Sequence, residues 1–103
     1  MTAAKIFKAL SDPTRRQILQ ELKNGELQAG AIAERFDISA PSISRHLKLL
    51  EEAELVSARR DQNRILYRLE AENLASCLSD FMSAVCLTQV GMRRKIAKKG
   101  RAR

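Results

Sequence analysis

The chain has 103 residues, 45% of them hydrophobic but only 4% aromatic, and a formal net charge of +7. That length fits one domain with a modest core, and with no Trp the interior falls to Leu, Ile, Val and Ala, which suits helices packed on helices. Nothing resembles a secretion signal or an apolar run of membrane-spanning length, so a soluble cytoplasmic protein is expected.

In chain order, Thr2–Leu10 carries Ala3, Ile6, Phe7 and Leu10 at helical spacing and reads as a short first helix. Ser11-Asp12-Pro13 offers a cap and an early proline for a second helix running to about Lys23. That helix buries Ile18, Leu19 and Leu22 and stops at Asn24-Gly25. Arg15 and Arg16 occupy its first turn, where positive charge opposes the helix dipole. Such a pair either meets an external anion or, more commonly, lies at the surface.

Leu27–Phe36 reads as a third, thin helix with Leu27, Ile32 and Phe36 inward, closed by the three-residue turn Asp37-Ile38-Ser39. Ser39 then caps a longer helix from Ala40 to Ala53, with Pro41 in the first turn, where its missing N–H removes no bond. Ile43, Leu47 and Leu50 fall on one edge of this helix, and Pro41, Ser42, Ser44, Arg45, Lys48 and Leu49 on the other. Small hydroxyls grouped with an arginine are unlike an ordinary solvated face. Ser lets a backbone come close to a duplex, and Arg forks onto guanine O6 and N7. Short helix, tight turn and longer helix form the helix-turn-helix arrangement, with the fourth helix reading the DNA.

After Ala53 the apolar period drops from 3.6 to 2. Val56–Arg60 and Arg64–Leu69 read as strands around the polar turn Asp61-Gln62-Asn63, concentrating Arg59, Arg60, Arg64 and Arg68 around one acid, Asp61. This is a wing. The final helix, about Ala71 to Met92, puts Leu74, Leu78, Phe81, Val85 and Met92 on one stripe, while Cys77, Met82, Cys86, Leu87 and Val90 broaden its apolar surface. A terminal helix apolar on more than one side has more to bury than one small domain offers, so it is expected, with the first helix, to form a homodimer interface. Of the 19 Lys and Arg, seven fall in 93–103 with no acid among them, which leaves 12 bases against 12 acids before that point. The chain therefore divides into a globular unit, 1–92, and a basic tail, 93–103, for which solvation is the ordinary role and nonspecific phosphate contact the sharper one.

Phe7-Lys8-Ala9-Leu10-Ser11-Asp12-Pro13-Thr14-Arg15-Arg16-Gln17-Ile18-Leu19, then Ile38-Ser39-Ala40-Pro41-Ser42-Ile43-Ser44-Arg45-His46-Leu47-Lys48-Leu49-Leu50 and Leu55-Val56, together resemble the ArsR/SmtB family of bacterial winged-helix repressors. Within it they look most like the SdpR-type autorepressors. The resemblance spans residues 3–92. It implies a mainly α fold with a small β-hairpin, in the order α-α-α-α-β-β-α, dimeric through the first and last helices. It also implies repression through an inverted-repeat operator in double-stranded DNA. It carries DNA contacts onto Pro41, Ser42, Ser44 and Arg45, with His46 and Lys48 on the same helix, and onto the wing at Arg59, Arg60, Gln62, Asn63 and Arg64. Many members have a polar Gln or Ser where Ala40 and Pro41 stand, so the operator sequence does not transfer.

Metal-responsive members use paired cysteines near the third and fourth helices, or His and acid ligands on the last. Glu26–Ala31 holds no Cys, and His46 is the sole histidine, so neither a metal effector nor any other cofactor is expected. Cys77 and Cys86, nine residues apart, lie about 13 Å apart along a helix and cannot bridge within it. They read as small apolar side chains, with a thiol-redox or sulfur-sensing repressor as the alternative. An enzyme is disfavoured: there is no Gly-rich phosphate loop, no paired carboxylates in an apolar setting, and Ser44 beside His46 makes no triad. A winged helix used as a protein-interaction module is the remaining alternative. An RNA binder would call for exposed aromatics on the contact face, and there are none.

Overall fold

The computed structural model describes residues 2–86. Its elements are α1 (Ala3–Leu10), α2 (Pro13–Leu22), β1 (Leu27–Gln28), α3 (Ala29–Phe36), α4 (Ala40–Glu52), β2 (Val56–Asp61), β3 (Arg64–Leu69) and α5 (Ala71–Val85). This is a winged helix-turn-helix. The expected continuation of the last helix to Met92, with Leu87 and Val90, and the basic tail 93–103 lie outside the described residues; Cys86 has extended dihedrals and ends α5.

Local chemistry sets the helix starts. Asp12 accepts from the Arg15 N–H and caps α2, with Pro13 as its first residue, and Ser39 accepts from the Ser42 N–H and caps α4. The turn between α3 and α4 depends on Asp37, whose φ of 54° is left-handed, a conformation Asp tolerates better than most side chains. Ile6 of α1, Ile18, Leu19 and Leu22 of α2, Ile32 of α3 and Ile43, Leu47 and Leu50 of α4 meet in one core with Leu55, Val56 and Cys77. Burying these side chains is the main favourable term that holds α4 in place.

The sheet has three strands rather than two, in the order β1-β3-β2, both pairs antiparallel. Leu27, expected in the third helix, instead pairs with Tyr67, and Gln28 with Leu66, so α3 begins at Ala29. The turn also differs from expectation: Asp61 pairs with Arg64, which leaves only Gln62-Asn63 at the tip, with Gln62 at φ 61°. α5 packs back on α1, where the Phe7 and Phe81 rings meet edge to face at 5.0 Å.

Candidate nucleic-acid interface

Pro41, Ser44, Arg45 and Lys48 are all exposed, and their spacing of three, four and seven residues sets them in one stripe along α4. Ser42 lies beside this stripe and is half-buried. Its hydroxyl accepts from the Ser39 hydroxyl at 3.1 Å and from Arg45 Nη2 at 3.4 Å, so a short polar chain runs from the helix cap to the guanidinium. No acid occupies the first turn of α4. The partial positive charge of its free N–H groups is therefore unopposed, and the surface favours anions. Arg45 keeps most of its donors for an outside partner, because one long bond to Ser42 occupies only part of its fork.

On the wing, Arg59, Arg60, Gln62, Asn63 and Arg64 are all exposed, with Gln62 and Asn63 at the tip. The arginines are more heavily paired than the sequence indicates. Arg59 donates Nε and Nη2 to the two carboxylate oxygens of Glu26, at 2.8 Å each. Arg64 pairs with Asp61 at 3.0 Å and Arg68 with Glu70 at 3.3 Å. Arg60 has no ion pair among the described residues. The hydrogen bond from Arg59 holds the Glu26 carboxyl below the usual carboxylate range.

His46 departs from the exposed stripe. Its side chain is 22% exposed and its Nδ1 sits 3.3 Å from Arg15 Nη1, on the inner side of α4 toward α2. Arg16 lies exposed at the surface, as expected, whereas Arg15 does not, and both bond carbonyls of the preceding helix. Arg15 is buried, with Nε bonding the Ala9 carbonyl at 2.7 Å and Nη2 that of Lys8 at 3.0 Å, while Arg16 Nη1 bonds the Leu10 carbonyl at 2.7 Å. The charge that opposes the dipole of α2 thus closes the carbonyl end of α1, where positive charge is favourable. The sequence signalled these two arginines through their place in a first turn but not the partner, which lies in the preceding helix.

Cys77 is buried in the core and Cys86 is exposed, and both are free thiols. Among the described residues no group of three or more His, Cys, Asp or Glu is arranged to hold a metal ion. None of their helices is long and apolar enough to cross a membrane.

Residues 10–58 match a family model described as a helix-turn-helix domain. The transcriptional repressor SdpR of Bacillus subtilis is 50% identical over 72% of this chain and 82% of its own length. An ArsR-like transcriptional regulator from Rhodococcus sp. RHA1 has a solved structure that superposes with a TM-score of 0.73 at 32% identity, covering 95% of this chain and 90% of that one. A homodimeric winged helix-turn-helix DNA-binding domain from Mycobacterium bovis, described as a possible ArsR-family regulator, superposes with a TM-score of 0.66 at 33% identity, over 79% of this chain and 75% of that one.

Proposed function

Since this chain belongs to the ArsR/SmtB family of winged-helix transcriptional repressors, DNA-binding regulators rather than enzymes, we propose that it acts in the cytoplasm as a homodimer on an inverted-repeat operator, without a metal effector. The observation that carries this reading is the stripe on α4: Ser44, Arg45 and Lys48 stand exposed at the acid-free end of a helix whose opposite edge is fully buried. Arg45 reads a guanine edge, Ser42 and Ser44 admit close approach to the duplex, and Lys48 holds a phosphate. Arg60, Gln62 and Asn63 of the wing meet the backbone beside it, with Arg59 and Arg64 contributing what their acid partners release. Pairing two copies would set two α4 helices about one DNA turn apart, roughly 34 Å.

Two features support dimerisation through α1 and α5. Phe81, Met82 and Val85 are 48%, 50% and 61% exposed on one helix, and the Mycobacterium bovis relative is described as homodimeric. The sole histidine is engaged with Arg15 and the two cysteines sit in different surroundings, which supports the reading without a metal effector.

Fluorescence anisotropy on duplexes from the DNA upstream of the protein's own gene tests the reading. Arg45→Ala is expected to weaken specific binding by about 1–3 kcal/mol and to relax sequence preference. Unchanged affinity and preference for Arg45→Ala at moderate salt would remove α4 from the interface.

A further inference from the structure

Arg15 is the one buried charged residue among the described residues, and each nitrogen of its guanidinium has a partner. Nε and Nη2 close the end of α1 on the Ala9 and Lys8 carbonyls, and Nη1 lies 3.3 Å from Nδ1 of His46, on the helix that carries Arg45. The residue itself stands in the first turn of α2. One rigid fork therefore joins three helices, and a guanidinium is planar enough to fix the directions of all three bonds.

A guanidinium only donates, so a hydrogen bond across this contact requires Nδ1 of His46 to accept, with the ring proton on Nε2. The carboxylate facing the pair is Asp12, whose Oδ2 is 4.0 Å from the same Nδ1 and which also caps α2. Apolar packing of Ile43, Leu47 and Leu50 holds α4 against the core, but burial is non-directional and sets the helix's rotation only loosely. A helix whose side chains reach roughly 5–6 Å from its axis moves them by about 2 Å on turning about 20°, more than a forked hydrogen bond tolerates.

We propose that Arg15 is a positioning residue for DNA recognition: acting through His46, it sets the rotation of α4 relative to α1, so that the Arg45 stripe and the dimer-forming helix are held in one fixed relation. This rests on the operator-binding reading given above. Neither residue need touch DNA for this role.

The test uses the full chain and four proteins: wild type, Arg15→Lys, His46→Leu and His46→Asn. Lysine keeps the charge but cannot serve two carbonyls and a ring nitrogen at once. Leucine removes the acceptor and leaves the Arg15 bonds to α1 in place, and asparagine restores an acceptor near the Nδ1 position. Because His46 is the only histidine, its ring nitrogens give unambiguous 15N NMR signals. The wild type is expected to show the Nε2–H tautomer, and Arg15→Lys a mixture. With each protein at a concentration where sedimentation shows complete dimers, affinity is measured for upstream DNA and for an unrelated duplex. Arg15→Lys and His46→Leu are expected to lose about tenfold in the ratio of the two affinities, near 1.4 kcal/mol, with nonspecific binding unchanged. His46→Asn is expected to stay within about threefold of wild type, a partial loss of that same term.

A merely structural role would lower the melting temperature and the dimer affinity but leave that ratio intact. An Nδ1–H tautomer in the wild type, or wild-type ratios in both Arg15→Lys and His46→Leu, overturns the proposal. Should Arg15→Lys fail to fold, His46→Leu decides it. A wild type with no preference for its upstream DNA overturns the operator reading instead, and the tautomer then shows whether the joint exists without it.

Discussion

Glu26, just ahead of β1, grips Arg59 of β2 by both carboxylate oxygens at 2.8 Å, reaching over the central strand β3 that separates them in the sheet. The pair ties the wing to the body of the domain. It also divides the wing's arginines into two kinds, because a cation already holding a carboxylate brings little net charge to a phosphate unless that carboxylate lets go.

The salt dependence of DNA binding should reflect this division. Arg60 has no acid partner among the described residues, so Arg60→Ala is expected to reduce the slope of log affinity against log salt by about 0.9, the value for one lost phosphate contact. Arg59→Ala should reduce it by clearly less, and Glu26→Gln should steepen it by releasing Arg59. Anisotropy titrations between low and moderate salt measure all three. Equal slopes for Arg59→Ala and Arg60→Ala would show that Glu26 releases its partner on binding.

The contrast between α4 and the wing shows what the sequence could reveal. The cap at Ser39, the early Pro41 and the buried Ile43, Leu47 and Leu50 are encoded within one helix, and the structure has each of them as the local pattern requires. β1 is two residues long, too short for any period, and exists because Leu66 and Tyr67 offer it an edge. Glu26 lies 33 residues from Arg59, and Arg15 lies 31 from His46. Neither pairing leaves a trace in local spacing. A first-turn arginine opposed to its own helix dipole was the single clue, and it pointed to the need for a partner without identifying one.

Acid should loosen the fold through three carboxylates. Glu70 is held below the usual range first by the Ser57 hydroxyl and then by Arg68, and Glu26 by Arg59. For Asp12 burial pushes the other way, but the Arg15 N–H together with the Arg15 charge prevails. Each group favours its ionised form more in the folded chain than in the unfolded one. The stability they contribute is therefore complete well above the ordinary values of 4.5 for Glu and 3.8 for Asp, and is lost as pH falls through the lower folded values. The melting temperature is expected to hold between pH 7 and about 5 and to fall below about 4.5. All three groups are substantially solvated, so added salt should shrink the effect. Glu70→Gln should flatten the acid limb, and a melting temperature independent of pH down to 3 would show that these pairings add nothing.

The face of α5 supplies the sharpest test of assembly. Phe81 already packs on Phe7 inside one subunit, so replacing it would disturb the monomer as well as any interface. Val85 is 61% exposed, and its substitution costs the single chain little. Full burial of a large apolar side chain contributes about 1.5–3 kcal/mol. Phe81, Met82 and Val85 are about half exposed, so each has roughly 1 kcal/mol still to gain against a second copy, doubled by two-fold symmetry. A carboxylate placed there loses that gain and is buried without a partner, which costs several kcal/mol. Val85→Asp is therefore expected to weaken the dimer at least about a hundredfold, near 2.7 kcal/mol, while leaving the helical circular dichroism signal close to wild type. Operator binding should fall with it, because a single α4 reads half a site. Sedimentation velocity measures the assembly directly. A wild-type chain that stays monomeric at tens of micromolar, or a Val85→Asp variant that dimerises as wild type does, would place the subunit contact away from α5.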